Sequence, residues 1–510
     1  MFETFMARIK EPDRRKAFWT LLSAKLLGVV VLVLLIKGIS FYFATPALAD
    51  DAAAAPPAYV NPLNTLWVLV AAFLVFFMQA GFMMLEAGFA RTRETVNILL
   101  EGIVDTCLCG ILFWAWGFAF MFGAGNGFIG HQYFFLHGAP DTYGSTGVAF
   151  LAFFLFQFAF ADTCSTITSG AMVGRTGFVG DLLYSFGVSG FIYPILGHWA
   201  WGPDGWLNTI KPAAFHDFAG STVVHTIGGF VALAGAIALG PRLGRKFKRD
   251  GGGMPPGHDM TIAAVGGVIL WFGWYGFNPG STLSAMDMQG CGRVAANTTL
   301  AACAGGLSTL FYMFPRNKVW DCGMTVNGFL AGLVAITCPC YWVSPLGSIL
   351  IGAIAGVVVA VAVDFVEWLR IDDPVGAVAV HGVCGIWGTL SLGLFASGEF
   401  GAAGPMGADN SAGAVVTGLF YGGGSAQLIA QLIGSAAVTA ATFACGVVLM
   451  YAVKATGTLR VKREHELEGL DISEHGGPAY PELLSGHSGY HGGDGATSAP
   501  GVTAGTVPAK

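Results

Sequence analysis

The sequence predicts an all-α polytopic membrane protein: eleven transmembrane helices, built as a five-plus-five inverted repeat with one further C-terminal span. Three observations predict it. Apolar runs recur from Leu63 to Val453, and a run of about 20 such residues is long enough to cross a bilayer. Of 510 residues, 54% are hydrophobic and only 11% are charged, too few charges to cover a soluble surface of this size. Finally, DFAGSTVVH from Asp217 and DPVGAVAVH from Asp373 place an acid and a histidine at matching points of two spans.

Within the first fifty residues RRKAFWTLLSAKLLGVVVLVLLIKG, from Arg14, is a basic flank followed by an apolar stretch. Ala47-Leu48-Ala49 then has the small-x-small form of a signal-peptidase site. Residues 1–49 are expected to be a cleaved signal peptide; an uncleaved extra helix is the alternative. Residues 50–62 would be a short external segment. The membrane domain is expected over 63–455, with spans near 64–88, 97–123, 148–171, 178–200 and 218–241 in a first repeat of about 63–242. A second repeat of about 258–398 holds spans near 260–281, 294–314, 321–339, 346–367 and 375–396. The eleventh span is placed at 426–453, and residues 456–510 form a tail. From Ser485 the tail is rich in Gly, Ser, Ala and His, a composition that buries too little apolar surface to fold, so disorder is expected from about 485. The 75 glycines suit close helix packing in a membrane. The ten cysteines stand singly or in the loose pairs Cys107/Cys109 and Cys338/Cys340. They read as buried small hydrophobes rather than metal ligands or disulfides.

Basic residues set the orientation. Loops after odd-numbered spans carry Arg91 and Arg93, Arg175, the run RLGRKFKR from Arg242 to Arg249, Arg316 with Lys318, and Arg370. The tail adds Lys454, Arg460, Lys462 and Arg463. The other loops hold only Lys211 and the borderline Arg293. Because Lys and Arg collect on the cytoplasmic side, the mature N-terminus is expected outside, and the C-terminus inside, a plasma or inner membrane.

A repeat of five spans must return inverted. Span five therefore enters from outside and span ten from inside, each with Asp ahead of His: Asp217 and His225, Asp373 and His381. In helical geometry each histidine lies roughly 12 Å below its acid, within an apolar core about 30 Å thick. Two histidines approaching from opposite faces would meet near the midplane. The acids suit helix N-termini, where a carboxylate accepts from free N–H groups. An ionisable residue inside a span usually faces a pathway or a partner. Either histidine alone could instead be a hydrogen-bonded packing residue; the matched pair argues for a pathway.

At these residues the chain resembles a known family. DFAGSTVVH and DDPVGAVAVHGVCGIWG are similar to the two signature segments of ammonium transporters of the Amt/Rh family. FGWYGFNPGS (Phe272 to Ser281) and the tail segment EHELEGLDISEHGGPAY (Glu464 to Tyr480) resemble the same family, and the tail favours the Amt branch. The likeness covers about residues 60–480. It implies a homotrimer with a narrow pore within each subunit, lined by His225 and His381. It implies an outer ammonium site made by Trp201, Phe160 and Ser281, with Asp217 close by. It also implies a gate of Phe160 stacked on Phe277, and Trp274 beside the pore. A PII-like signalling protein is the implied partner at the cytoplasmic face. Membrane lipid is the other surrounding. No cofactor, metal or nucleic acid is implied. Taken singly, Trp201 would read as an interfacial belt residue, and Phe160 and Phe277 as core packing among 40 phenylalanines.

Two departures stand out. The family usually has an acid before the Arg that closes span three; here the pair is Gly174-Arg175, so an ion pair expected there is missing. Asp162 is an acid inside span three, two residues after Phe160. It reads as buried and protonated, as bonded to a neighbouring helix, or as touching the pore. Glu86 and Asp105 read as interhelical hydrogen-bonding groups.

The substrate implied is ammonium, with methylammonium as an analogue. Aromatic faces attract such a cation by about 0.5–2 kcal/mol, and a hydroxyl accepts from its N–H groups. Below that site an apolar passage makes a bare cation very costly. Ammonium can shed a proton and pass as ammonia; potassium cannot. Two imidazoles offer the neutral molecule a donor and an acceptor. The alternatives are an ammonium sensor on the same fold and a Rh-like gas channel. A membrane metalloenzyme is disfavoured by the lack of HExxH and of clustered Cys/His spacing.

Overall fold

Among the described residues ten long apolar helices and one shorter one follow each other. The computed structural model describes residues 58–402 and 414–481. The expected signal peptide (1–49) and the expected disorder from about 485 lie outside them. The helices are α1 (Val60–Phe89), α2 (Thr92–Phe122), α3 (Phe150–Gly170), α4 (Phe178–Thr209), α5 (Ser221–Leu239) and α6 (Met260–Thr282). They continue with α7 (Met288–Asn317), α8 (Cys322–Thr337), α9 (Pro345–Trp368), α10 (Val378–Phe395) and α11 (Ala426–Ala455). Among the described residues, ten have the length and composition to cross a membrane; α8 is shorter, with 16 residues. The fold is that of an all-α polytopic membrane protein. Two tail helices follow, α12 (Arg463–Glu468) and α13 (Leu470–His475).

Local signals start the helices. Asp259 accepts from the amides of Thr261 and Ile262 at the head of α6, and Asp321 from Met324 at the head of α8. Ser344 caps α9 ahead of Pro345, which suits the first turn because its missing N–H would be unpaired there. Small residues then let backbones touch. A side chain at Gly352 or Gly332 would run into the Ala301 carbonyl, so α7, α8 and α9 pack at glycine distance. Outward faces carry exposed apolar residues such as Leu66, Leu151, Phe272 and Val448, as a lipid-facing surface requires. The cysteines are all unpaired, but four of them (Cys107, Cys303, Cys322 and Cys445) are exposed rather than buried. A helix turns about 100° per residue, so Cys107 faces out while Cys109, two positions on, faces in.

Arginines and acids tie the tail-side end together. Arg242 pairs with Asp372 at 2.8 Å, Arg245 reaches Asp372 at 3.1 Å, and Arg245 also pairs with Glu367. Against the upward push of burial, the hydrogen bond from Arg242 and the charges of Arg175 and Arg242 hold the Asp372 carboxyl well below the usual carboxylate range. Arg175 is fully buried and donates to the main-chain carbonyl of Asp372 at 2.6 Å. Glu94, also fully buried, fills the space beside Gly174 and pairs with Arg91. An acid thus stands next to Gly174, contributed by α2 instead of α3. The tail folds back on this end. Glu466 accepts from the Leu243 amide at 2.6 Å and from Arg460 at 2.8 Å. Asp471 accepts from the Asn97 amide at 3.0 Å.

Candidate functional site

Both histidines are set by the same local device in two different helices. Asp217 stands ahead of α5, and its two carboxylate oxygens accept four amides, those of Gly220, Ser221, Thr222 and Val223, at 2.9–3.0 Å. Asp373 does the same ahead of α10 for Gly376, Ala377 and Val378, at 2.9–3.1 Å. Burial pushes the Asp217 carboxyl up from its ordinary value while those amides pull it back. Burial pushes Asp373 up to about 6 against the same kind of opposition. Gly220 makes the entry turn possible, with φ of +114°.

Each helix then begins as a π turn, over Ser221–Thr226 and Val378–Val383. The acids therefore lie outside the helices they serve, and the distance from acid to histidine is not that of a regular α-helix. The departure from the expected geometry has a local cause. Both π turns hold their histidine near the end, and π turns re-aim a side chain within a helix. A side chain on Gly229 would collide with the backbone of Gly382, so α5 and α10 cross with their main chains in contact next to the histidines. Neither glycine stood out in the sequence; each lies close behind a histidine, and that was the available signal.

The histidines meet. Nδ1 of His225 lies 3.1 Å from Nδ1 of His381, with ring centroids 5.2 Å apart and planes 25° from parallel. When both rings are neutral, one Nδ1 donates and the other accepts. One Nε2 is then a bare acceptor and the other carries a proton. The His225 Nε2 has no protein partner.

A column of rings leads away from this pair. Phe277 lies 5.4 Å from His225, and Phe160 stacks on Phe277 at 4.0 Å with a 24° tilt. Trp274 stacks beside His225 at 5.2 Å and is held by its indole N–H to Thr337 Oγ1 at 2.9 Å. At the end of the column Trp201 meets Phe160 edge-on at 6.1 Å. Its indole donates to the Asp217 carbonyl at 2.8 Å. Ser281 donates its hydroxyl proton to the Phe277 carbonyl at 2.8 Å, leaving its oxygen lone pairs free to accept. All these side chains are at least nine-tenths buried. Phe82 of α1 packs against His381 with ring centroids 6.3 Å apart; its place was not legible from any motif.

The family model described as the Ammonium Transporter Family matches residues 66–480. The chain belongs to the Ammonium Transporter Family. It is 44% identical over 432 residues to the ammonium transporter Amt2 of Archaeoglobus fulgidus, covering 83% of this chain and 89% of that one. It is 39% identical over 441 residues to ammonium transporter 1 member 3 of Solanum lycopersicum, covering 82% and 93%. Among solved structures it is similar to one titled a sensor Amt protein, with a TM-score of 0.72, 38% identity and coverage of 81% and 98%. Membership makes this a multi-pass membrane transport protein, and it bears out the family and the all-α polytopic fold class read from the sequence.

Proposed function

We propose that the chain conducts ammonium nitrogen across the membrane through the ring column. The cation is recruited beside Trp201 and Phe160, with Ser281 Oγ accepting one of its N–H groups and Asp217 fixing the local backbone. It gives its proton to solvent water on that side of the Phe160/Phe277 stack, and neutral ammonia passes. The stack and the apolar walls exclude potassium, because an ion that keeps its charge meets the full cost of desolvation. Beyond the stack, His225 and His381 take ammonia along a donor–acceptor pair. The observation that carries this reading is the unbroken series Trp201, Phe160, Phe277, His225, His381.

The proposed frame is eleven crossings including α8, an external mature N-terminus after removal of residues 1–49, and a cytoplasmic tail. The proposed assembly is a homotrimer with one pore per subunit. Its proposed partner is a PII-like protein at the tail-side face. The test is uptake of radiolabelled methylammonium. It should be blocked by excess ammonium and not by potassium.

A second reading is a sensor, favoured by the likeness to a structure titled a sensor Amt protein. The tail docked through Glu466 and Asp471 would then report occupancy. A sensor would bind ammonium without sustained uptake, so the same assay separates the two.

A further inference from the structure

Away from the ring column, α1 to α4 bring a second polar cluster together. Asp162 of α3 is fully buried, and neither of its carboxylate oxygens has a hydrogen-bond partner. Gln79 of α1 and Thr106 of α2 are the polar side chains facing it. Asp105, beside Thr106, is better served: Oδ1 accepts from Ser165 at 2.8 Å, and Oδ2 lies 3.4 Å from the Thr166 hydroxyl. From α4 comes Ser189, fully buried and also unpartnered. It lies against Cys109, which faces Asp162 as well. Ser189 sits in a π turn, Val188–Ile192, an irregularity common at functional sites.

Among the described residues the charge here has no basic partner. α1, α3 and α4 contain no Lys or Arg, and neither does α2 after Arg93. An uncompensated carboxylate in such a setting costs several kcal/mol. The Thr106 hydroxyl is oriented to accept. Thr106 has given its proton to the Gly102 carbonyl at 2.9 Å, so its oxygen presents lone pairs. Apart from the Cys109 thiol the surroundings offer hard oxygen donors, which suit alkali and alkaline-earth ions rather than transition metals. Among the described residues no three His, Cys, Asp or Glu side chains are placed to hold a metal ion together, too few strong ligands for a divalent ion.

We propose that the cluster of Asp162, Asp105, Thr106 and Ser189 binds a monovalent cation that holds α2, α3 and α4 together inside the bundle. The site is separate from the conduction path, and the proposal does not depend on how ammonium crosses.

Thermal unfolding of the purified, detergent-solubilised protein tests it. NaCl, KCl and NH4Cl are each titrated against choline chloride at constant ionic strength and pH. The melting temperature should rise and saturate with at least one of them. Asp162→Asn, which keeps the shape and removes the charge, should abolish the rise. Ser189→Ala should move the half-saturating concentration up roughly three- to tenfold, and it carries the test if Asp162→Asn does not fold. A melting temperature that ignores all three cations overturns the proposal, because a proton then neutralises Asp162. So does an equal rise in the wild type and in whichever variant folds, since that is a surface salt effect.

Discussion

Asp217 holds Trp201 and the head of α5 at once: its main-chain carbonyl accepts the Trp201 indole at 2.8 Å while its carboxylate accepts four amides. One residue thereby ties Trp201 to the π turn that carries His225. Asp217→Ala should leave those amides unpaired in a buried place, a loss of about 1–3 kcal/mol. Lower expression and loss of methylammonium uptake should appear together. Normal expression with normal uptake would show that the entrance does not need this brace.

The Ser281 hydroxyl is turned so that it can only accept from a ligand. Ser281→Ala and Trp201→Leu should each weaken recruitment by about 1–2 kcal/mol, seen as a roughly tenfold rise in half-saturating methylammonium. The fold should survive, as judged by the melting temperature. Unchanged concentration dependence in both variants would place the recruitment site elsewhere.

Removing a ring from the stack should be costly in a different way. Phe277→Ala opens a cavity between Phe160 and His225 and should lower stability by about 3–5 kcal/mol. Measured by thermal unfolding, the loss should exceed that of Ser281→Ala, and potassium should begin to compete with uptake.

Much of this was legible in the sequence. Long apolar runs placed the helices to within a few residues, because burial in lipid demands continuous hydrophobicity. Span seven was expected at 294–314 and runs from Met288 to Asn317. Its outer turns are too polar to register as membrane-spanning. The eight-residue spacing from Asp to His was visible twice, but not the π turns between, since hydrophobic periodicity carries no signal for a single widened turn. The Glu94 contact with Gly174 was hidden because it joins residues 80 positions apart. Asp162 was visible as an oddity. That Asp105 and Ser189 lie with it around Cys109 depends on how four helices pack.

The tail-side network should be acid-labile through Asp372. Its folded-state carboxyl is held below the ordinary value, so the stability it contributes is present above the unfolded value near pH 4 and is lost as pH falls further. At neutral pH, Asp372→Ala should leave Arg242 and Arg245 as buried unpaired charges and cost about 3–5 kcal/mol. Thermal unfolding should show the variant destabilised at pH 7, and its deficit shrinking as the wild type is acidified.

His216, near the Trp201 end, should respond to acid by another route. Burial pushes it down to about 4, so it is neutral in the folded protein while the unfolded chain takes up a proton near pH 6.5. Stability should therefore fall as pH drops from about 6.5 towards 4. His216→Asn should flatten that part of the profile. A wild-type profile level across this range would contradict the assignment.

The central claim is that His225 and His381 act as one conducting unit, joined through Nδ1 at 3.1 Å. The direct measurement is uptake of labelled methylammonium, with potassium flux recorded in parallel, for His225→Ala, His381→Ala and the double variant in proteoliposomes. Each single change should cut uptake steeply or admit potassium. The double change should add little beyond either one, because both remove the same unit. If both single variants carry methylammonium at the wild-type rate and still exclude potassium, the paired histidines are packing residues and the proposed path is wrong.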